Sequence, residues 1–417
     1  MTAFVLAVSA PSILRAQSIE ERLRALENQN DALRQQLADQ KRVIDDLQSR
    51  VGNGSTAPAA ESGEKANTGF NFGRVHLGAE GGVAFFAADK QGQYPSSTFR
   101  VDEAKLFLES PVWNNTYFYS ELDVVTREAP DENFHLGELY IDFENVLRRW
   151  TDHNWLSLRV GRMYTPFGEE YNARYVIDNP LISHSLSDVW GVDEGVEIYG
   201  NGYGFDYAVA LQNGGIPSLK DFTGDKSIAG RIGYNFGKHV RLSFSGMRTG
   251  DVSTSDDMLS ALWFGNGFFR AMDPAATKFQ ANLYELDAQT FWKSGHLKLA
   301  GGYFDYSDNN PTTDRSRDGW YYYAEALQNL PKKFYAASRF SQVLSDKGMP
   351  IVGLGDFGEY FFGPLTRDLW RLSLGVGYRW SENLVAKLEY TLEQGSTVGG
   401  TERIDHNFFG MELGFKF

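Results

Sequence analysis

The chain has no cysteine. That excludes a disulfide framework and any thiolate metal site, and it leaves the redox compartment open. Histidine is scarce, seven residues in 417, and no two are spaced H-x-x-x-H, so no metal site is expected. Long apolar runs are lacking. No segment holds eighteen consecutive apolar residues, so no helix is expected to cross a bilayer. Positive charge is short: 40 Lys and Arg stand against 54 Asp and Glu, a net charge of −14, which argues against a nucleic-acid partner for the chain as a whole. There is no G-x-S-x-G elbow and no nucleophile with a base at a meaningful spacing. Neither an enzyme nor a cofactor is expected. One G-x-G-x-x-G match, Gly353, Gly355 and Gly358, lies in a long loop with no helical pattern after it. Its glycines are expected to serve turns rather than a dinucleotide.

Aromatics are plentiful: 21 Tyr, 30 Phe and 9 Trp, with 43 Gly, in a chain that is polar on average. A transmembrane β-barrel has this mixture, because its strands alternate lipid-facing and lumen-facing residues. A soluble β-sandwich or a carbohydrate-binding module has it too.

The start, "MTAFVLAVSAPSILRAQS", carries an apolar run, Ala3–Ala10, followed by small residues. It reads as a signal-peptide-like segment over 1–16, cut after Ala16. No basic residue precedes the run, so the natural start is expected upstream. Residues 19–51 carry a heptad seam in steps of four and three: Ile19, Leu23, Leu26, Asn30, Leu33, Leu37, Gln40, Ile44, Leu47 and Val51. The spacing predicts an α-helical coiled coil, roughly 50 Å long at 1.5 Å per residue. Polar Asn30 and Gln40 in the seam set register and strand number at a cost in stability. Residues 52–69 are a Gly, Ser, Ala and Pro linker.

From Phe70 the period changes to two. Sixteen candidate strands follow, the first near 70–86, the fifth near 154–164, the sixth near 190–200 and the last near 405–417. In "WRLSLGVGYRW" Arg371, Ser373 and Arg379 oppose Leu372, Leu374, Val376 and Tyr378. Connections alternate short ("GNGYG", "FGKH", "KSGH", "SEN") and long (165–189, 249–279, 343–368). Short turns at one end and long loops at the other are the habit of an outer-membrane barrel. Aromatics cluster at strand ends, among them Trp155, Tyr164, Trp190, Trp292, Trp320, Trp370, Trp380 and Phe417. That suits girdles at the two membrane interfaces. The fold expected is therefore all-β: a 16-stranded antiparallel transmembrane β-barrel over 70–417, preceded by the N-terminal coiled coil.

Two stretches carry a family resemblance. "FRVDEAKLFLESPVWNNTYFYSELDV" resembles the second and third strands of the phosphate-selective porins O and P. "VGRMYTPFGEE" is similar to that family's "VGQFKxPFxxE", with Pro-Phe-Gly at 166–168 as its most specific piece. The resemblance covers most of 70–417 and implies a homotrimeric outer-membrane barrel with one pore per subunit and an inward-folded third external loop. The coiled coil lies outside it. Family members carry arginine ladders and lysine clusters in the pore. This chain is acidic and shows no such ladder, so a weak cation preference is expected instead.

The candidate site follows. Pro166 cannot donate to a ladder and Gly168 permits a sharp turn, so the chain is expected to leave the wall there. Glu169, Glu170, Arg174, Asp178, His184 and Asp188 become candidates for a pore constriction. Lumen-facing candidates are Glu103, Lys105, Glu121, Asp123, Glu138 and Arg159 on one side, and Arg231, Arg241, Arg339, Arg371 and Arg379 on the other. Either they set up a transverse field or they neutralise one another as ordinary polar lining. Asp305, Asp308, Asp314 and Asp318 gather in "FDYSDNNPTTDRSRDG", a candidate place for a divalent ion or bridged lipopolysaccharide. The function expected is passive diffusion of small hydrophilic solutes and ions across the bacterial outer membrane. The expected partners are membrane lipid, lipopolysaccharide and a second and third copy. The competing expectation is an envelope tether, with the barrel as anchor and the periplasmic coiled coil reaching peptidoglycan.

Overall fold

The computed structural model describes residues 70–417 apart from 127–133, 152, 190, 215–220, 222, 255–274, 311 and 313–314. The signal-like segment, the heptad seam, the linker, Trp190 and Asp314 lie outside the described residues.

Sixteen main strands run in chain order. They are β1 (Val75–Ala88), β2 (Thr98–Trp113), β3 (Thr116–Val125), β4 (His135–Phe143), β5 (Ser157–Tyr164), β6 (Val192–Gly202), β7 (Phe205–Gln212) and β8 (Ser227–Phe236). After them come β9 (Val240–Arg248), β10 (Lys278–Trp292), β11 (Gly295–Asp308), β12 (Arg317–Asn329), β13 (Phe334–Met349), β14 (Thr366–Ser381), β15 (Leu384–Thr397) and β16 (Phe408–Lys416). Each pairs antiparallel with its sequence neighbour, and β16 pairs with β1 from Phe408↔Ala88 to Lys416↔Glu80, closing the sheet. Closure leaves no free edge, which a sheet in lipid requires. Short pieces at Phe70–Phe72, Val252–Ser253 and Glu402–Arg403 extend the ladder.

The period of two sorts the side chains. Val83, Leu122, Val160, Ile198, Leu286 and Leu374 point outward and are exposed, while Glu121, Asp142, Glu197, Arg339, Glu389 and Glu412 point inward and are buried. An apolar exterior around a charged interior inverts the arrangement of a water-soluble protein and suits lipid. Trp292, Trp320, Trp380 and Phe417 are exposed at strand ends, as a girdle requires. Tyr164 departs from the expectation. The chain turns inward just after it, and its hydroxyl donates to Glu121 Oε1 at 3.3 Å inside the barrel. Trp155 lies in the connection just before β5, its ring against Gly202.

Strands run longer than the sequence pattern suggested, so the loop expected at 343–368 shrinks to 350–365. It holds a helix after all, α1 (Phe357–Phe362), capped by Asp356, which accepts from Glu359 N at 2.9 Å. Gly353 (φ 59°) makes the turn before it. Asp305 and Asp318 are directly opposed on β11 and β12 rather than in a loop. Among the described residues no group of three or more His, Asp or Glu side chains is placed to hold a metal ion.

At the long-loop end, Arg403 is fully buried. Its guanidinium lies 3.6 Å from the Tyr360 ring centroid and donates to Val352 O (2.6 Å) and Thr366 Oγ1 (2.7 Å). His406 Nε2 lies 3.1 Å from the Tyr360 hydroxyl. Burial, with Arg403 beside it, pushes the His406 pKa below its ordinary 6.5. The folded chain therefore holds the neutral ring and the unfolded chain protonates first. Stability is complete above about 6.5 and falls as pH drops below it. Protection of residues 350–365 and 398–407 against hydrogen exchange, taken relative to the intrinsic rate at each pH, is expected to fall as pH drops from 7.5 to 5. A His406→Gln variant is expected to flatten that dependence.

Candidate functional site: the segment inside the barrel

Residues 165–189 leave β5 and run against the inner wall. Pro166 and Phe167 are buried. Gly168 has φ 71°, and a Cβ there would meet Glu285 Oε1 at 2.6 Å, so the turn needs glycine for conformation and for space. Gly168 N donates to Ser245 Oγ (3.0 Å) and Arg231 Nη1 donates to Gly168 O (2.7 Å). A 3₁₀ turn, Glu170–Ala173, follows. The Tyr175 hydroxyl then reaches Glu121 Oε2 on β3 at 2.7 Å, and Glu80 on β1 accepts from Ile177 N at 2.7 Å.

From Ile177 to Leu186 the wall binds mostly backbone. Arg379 donates to Ile177 O (3.1 Å), Tyr335 to Pro180 O (3.0 Å), Lys387 to Leu181 O (3.1 Å), Arg339 to Ser183 O (2.6 Å) and Arg371 to His184 O (2.9 Å). Glu389 accepts from Ile182 N (2.5 Å) and Ser183 N (3.0 Å). Inward-facing glycines make sockets for the segment's aliphatic side chains. A Cβ on Gly375 would lie 2.5 Å from Leu181, on Gly410 3.0 Å from Ile182, and on Gly414 2.4 Å from Val176. Phe167, Leu186 and Val189 complete an apolar cluster with Phe279, Leu283, Phe304 and Val343. The β9–β16 side of the interior is thereby packed against the segment.

The opposite side is wetter. Arg159 keeps 22% of its side chain exposed, and Tyr140, Tyr164, Tyr171 and Tyr199 are part-buried. Its charges come in directly opposed pairs fixed by register. Arg159 faces Asp142 on β4 and Glu197 on β6, both at 3.0 Å. Lys105 faces Asp123 (3.2 Å) and also reaches Glu121 (2.9 Å). Arg371 with Glu393 (2.7 Å), Arg339 with Glu325 and Lys387 with Glu412 (2.9 Å) repeat the pattern on the packed side. Such cross-strand pairs each contribute on the order of 0.2–1 kcal/mol at ordinary exposure, and losing one member of a buried pair costs more.

Each residue named from sequence now has a place. Glu169 is buried, 2.7 Å from Arg241, which also binds Asp206. Glu170 accepts from Ser185 N at 2.9 Å. Arg174 pairs with Asp188, and His184 Nδ1 lies 3.5 Å from Asp188. Asp178 alone of the acidic set is exposed. Glu138 accepts from Tyr164 N at 3.0 Å, and Glu103 is buried on β2. The basic residues are drawn to the segment and to wall carboxylates, and Arg159 and Lys105 each meet two carboxylates. Asp142, which the period of two also places on the lumen face, is buried there, whereas Glu80, Glu197, Lys387, Glu389 and Glu393 were not singled out from sequence. A signal was there: in "LVAKLEYTLEQ" Lys387, Glu389 and Glu393 alternate with Leu388, Tyr390 and Leu392.

No protein-family model and no curated protein matches the sequence. Solved structures do match. The outer membrane channel DcaP of Acinetobacter baumannii is 12% identical with a TM-score of 0.56, covering 84% of this chain and 99% of that one. Pseudomonas putida OprB is 12% identical (TM-score 0.53, 82% and 93%). The trimer form of Vibrio cholerae OmpT, an outer membrane protein, is 11% identical (TM-score 0.51, 82% and 99%). At such identities the likeness establishes the fold: this chain is a closed, sixteen-stranded β-barrel of the shape seen in outer-membrane porins.

Proposed function

We propose that the protein is an outer-membrane porin, a passive channel for small hydrophilic solutes and ions, narrowed by residues 165–189. The observation that carries this reading is the division of the interior. One side is packed by the segment and its apolar cluster, and the other keeps a part-exposed lining of charged and tyrosine side chains. An apolar exterior supports placement in a membrane, and the likeness in shape to outer-membrane porins supports the bacterial outer membrane. Asp178 and Arg174 are the constriction residues this reading favours over Glu169, which the wall holds. A homotrimer is supported by the trimer form of one structural neighbour and by the heptad seam, which would join three chains in the periplasm. Lipid and lipopolysaccharide around the barrel, and peptidoglycan below it, belong to the same proposal.

The test is reconstitution of the purified full chain in planar lipid bilayers. Stepwise ohmic currents are expected, with reversal potentials in a KCl gradient showing weak cation preference. A folded barrel that gives no steps overturns the reading, and strong chloride or phosphate selectivity overturns its charge assignment.

A further inference from the structure

One arrangement recurs on the wetter side: a wall cation seated against carboxylates and an aromatic face, the rings coming from the wall (Tyr140, Tyr199) or from the segment (Tyr171, Tyr175). The Arg159 guanidinium lies 4.3 Å from the Tyr140 ring centroid and 5.1 Å from that of Tyr199. Asp142 and Glu197 accept its N–H groups at 3.0 Å. Lys105 Nζ lies 5.0 Å from the Tyr175 ring, with Glu121 at 2.9 Å and Asp123 at 3.2 Å. Arg231 lies 5.3 Å from the Tyr171 ring, with Glu169 at 3.5 Å. The chain's own side chains thus show what these faces hold.

We infer that the passage favours organic cations, solutes bearing a guanidinium or ammonium group, over inorganic cations of similar mobility. The inference rests on the porin reading above. Carboxylates alone would draw potassium equally well. The tyrosine faces add an attraction that the weakly hydrated, planar guanidinium exploits and a tightly hydrated ion does not. The Arg159 seat is part-exposed, so a passing solute meets its rim.

Permeability ratios in planar bilayers test this, with guanidinium chloride replacing KCl on one side of the purified full chain. The guanidinium-to-potassium ratio is expected to exceed the ratio of their free mobilities by about threefold. Tyr199→Leu combined with Tyr140→Leu is expected to return it to the mobility ratio, whereas Tyr199→Phe keeps the ring and the preference. Arg159→Ala empties the seat, and guanidinium is then expected to block potassium current at concentrations that leave the native channel open. A native ratio equal to the mobility ratio overturns the inference and leaves the porin reading standing. A high ratio unmoved by the leucine pair overturns the tyrosine assignment. A folded barrel without steps overturns both readings. Should the leucine pair fail to assemble, the native ratio and the Arg159→Ala block decide.

Discussion

Arg339→Ala is expected to loosen the segment inside the barrel, lowering the temperature of heat-modifiable migration and enlarging the single-channel step. Arg339 is buried on β13. Its Nε donates to Glu325 Oε2 at 2.9 Å, Nη1 to Ser183 O at 2.6 Å and Nη2 to Asn179 Oδ1 at 3.0 Å. One substitution therefore removes two of the hydrogen bonds between wall and segment and weakens the neutralisation of a buried carboxylate. Breaking a buried pair from one side costs about 3–5 kcal/mol. Glu325 keeps His296 at 2.9 Å and Lys298 at 3.5 Å, so the cost should lie at the low end of that range. Arg339→Lys restores a point charge but not the fork, and an intermediate effect is expected. An unchanged melting transition together with an unchanged step would show that the anchor carries little.

Leu286→Arg is expected to lose about 2–4 kcal/mol of folding free energy in lipid, the penalty for a cation near the bilayer midplane of a barrel. Leu286 stands near the middle of β10 and is 65% exposed, while Glu285 and Asp287 beside it are buried on the inner face. Urea titration of folding into phospholipid vesicles measures the difference. Leu286→Phe serves as the apolar control and should be close to neutral. A Leu286→Arg barrel as stable as the native one would mean that this face does not meet lipid.

Much of the barrel was legible in the sequence for a physical reason. A strand with lipid on one side and lumen on the other must alternate, and "WRLSLGVGYRW" does so residue by residue. Counting such segments reached sixteen, and the alternation of long and short connections assigned each loop to an end. The inward turn at 166–168 was legible because proline cannot join a ladder and Gly168 takes a positive φ. Partners were not legible. Arg159 opposes Asp142 and Glu197 only once register is fixed, and a slip of one residue would send a whole strand's charges to the other face. Glu169 was expected to face the passage, but Arg241, 72 residues away in sequence, draws it to the wall. The helix after Gly355 was missed because six residues are too few to show a period of 3.6.

The central claim is that residues 165–189 narrow a wet passage through the barrel. Single-channel conductance of the native chain, set beside a variant in which residues 171–187 are replaced by a short Gly-Ser link, tests it most directly. The account predicts small steps from the native channel and clearly larger ones from the excised variant, with the same strand content by circular dichroism. Equal steps from two equally folded barrels would contradict it.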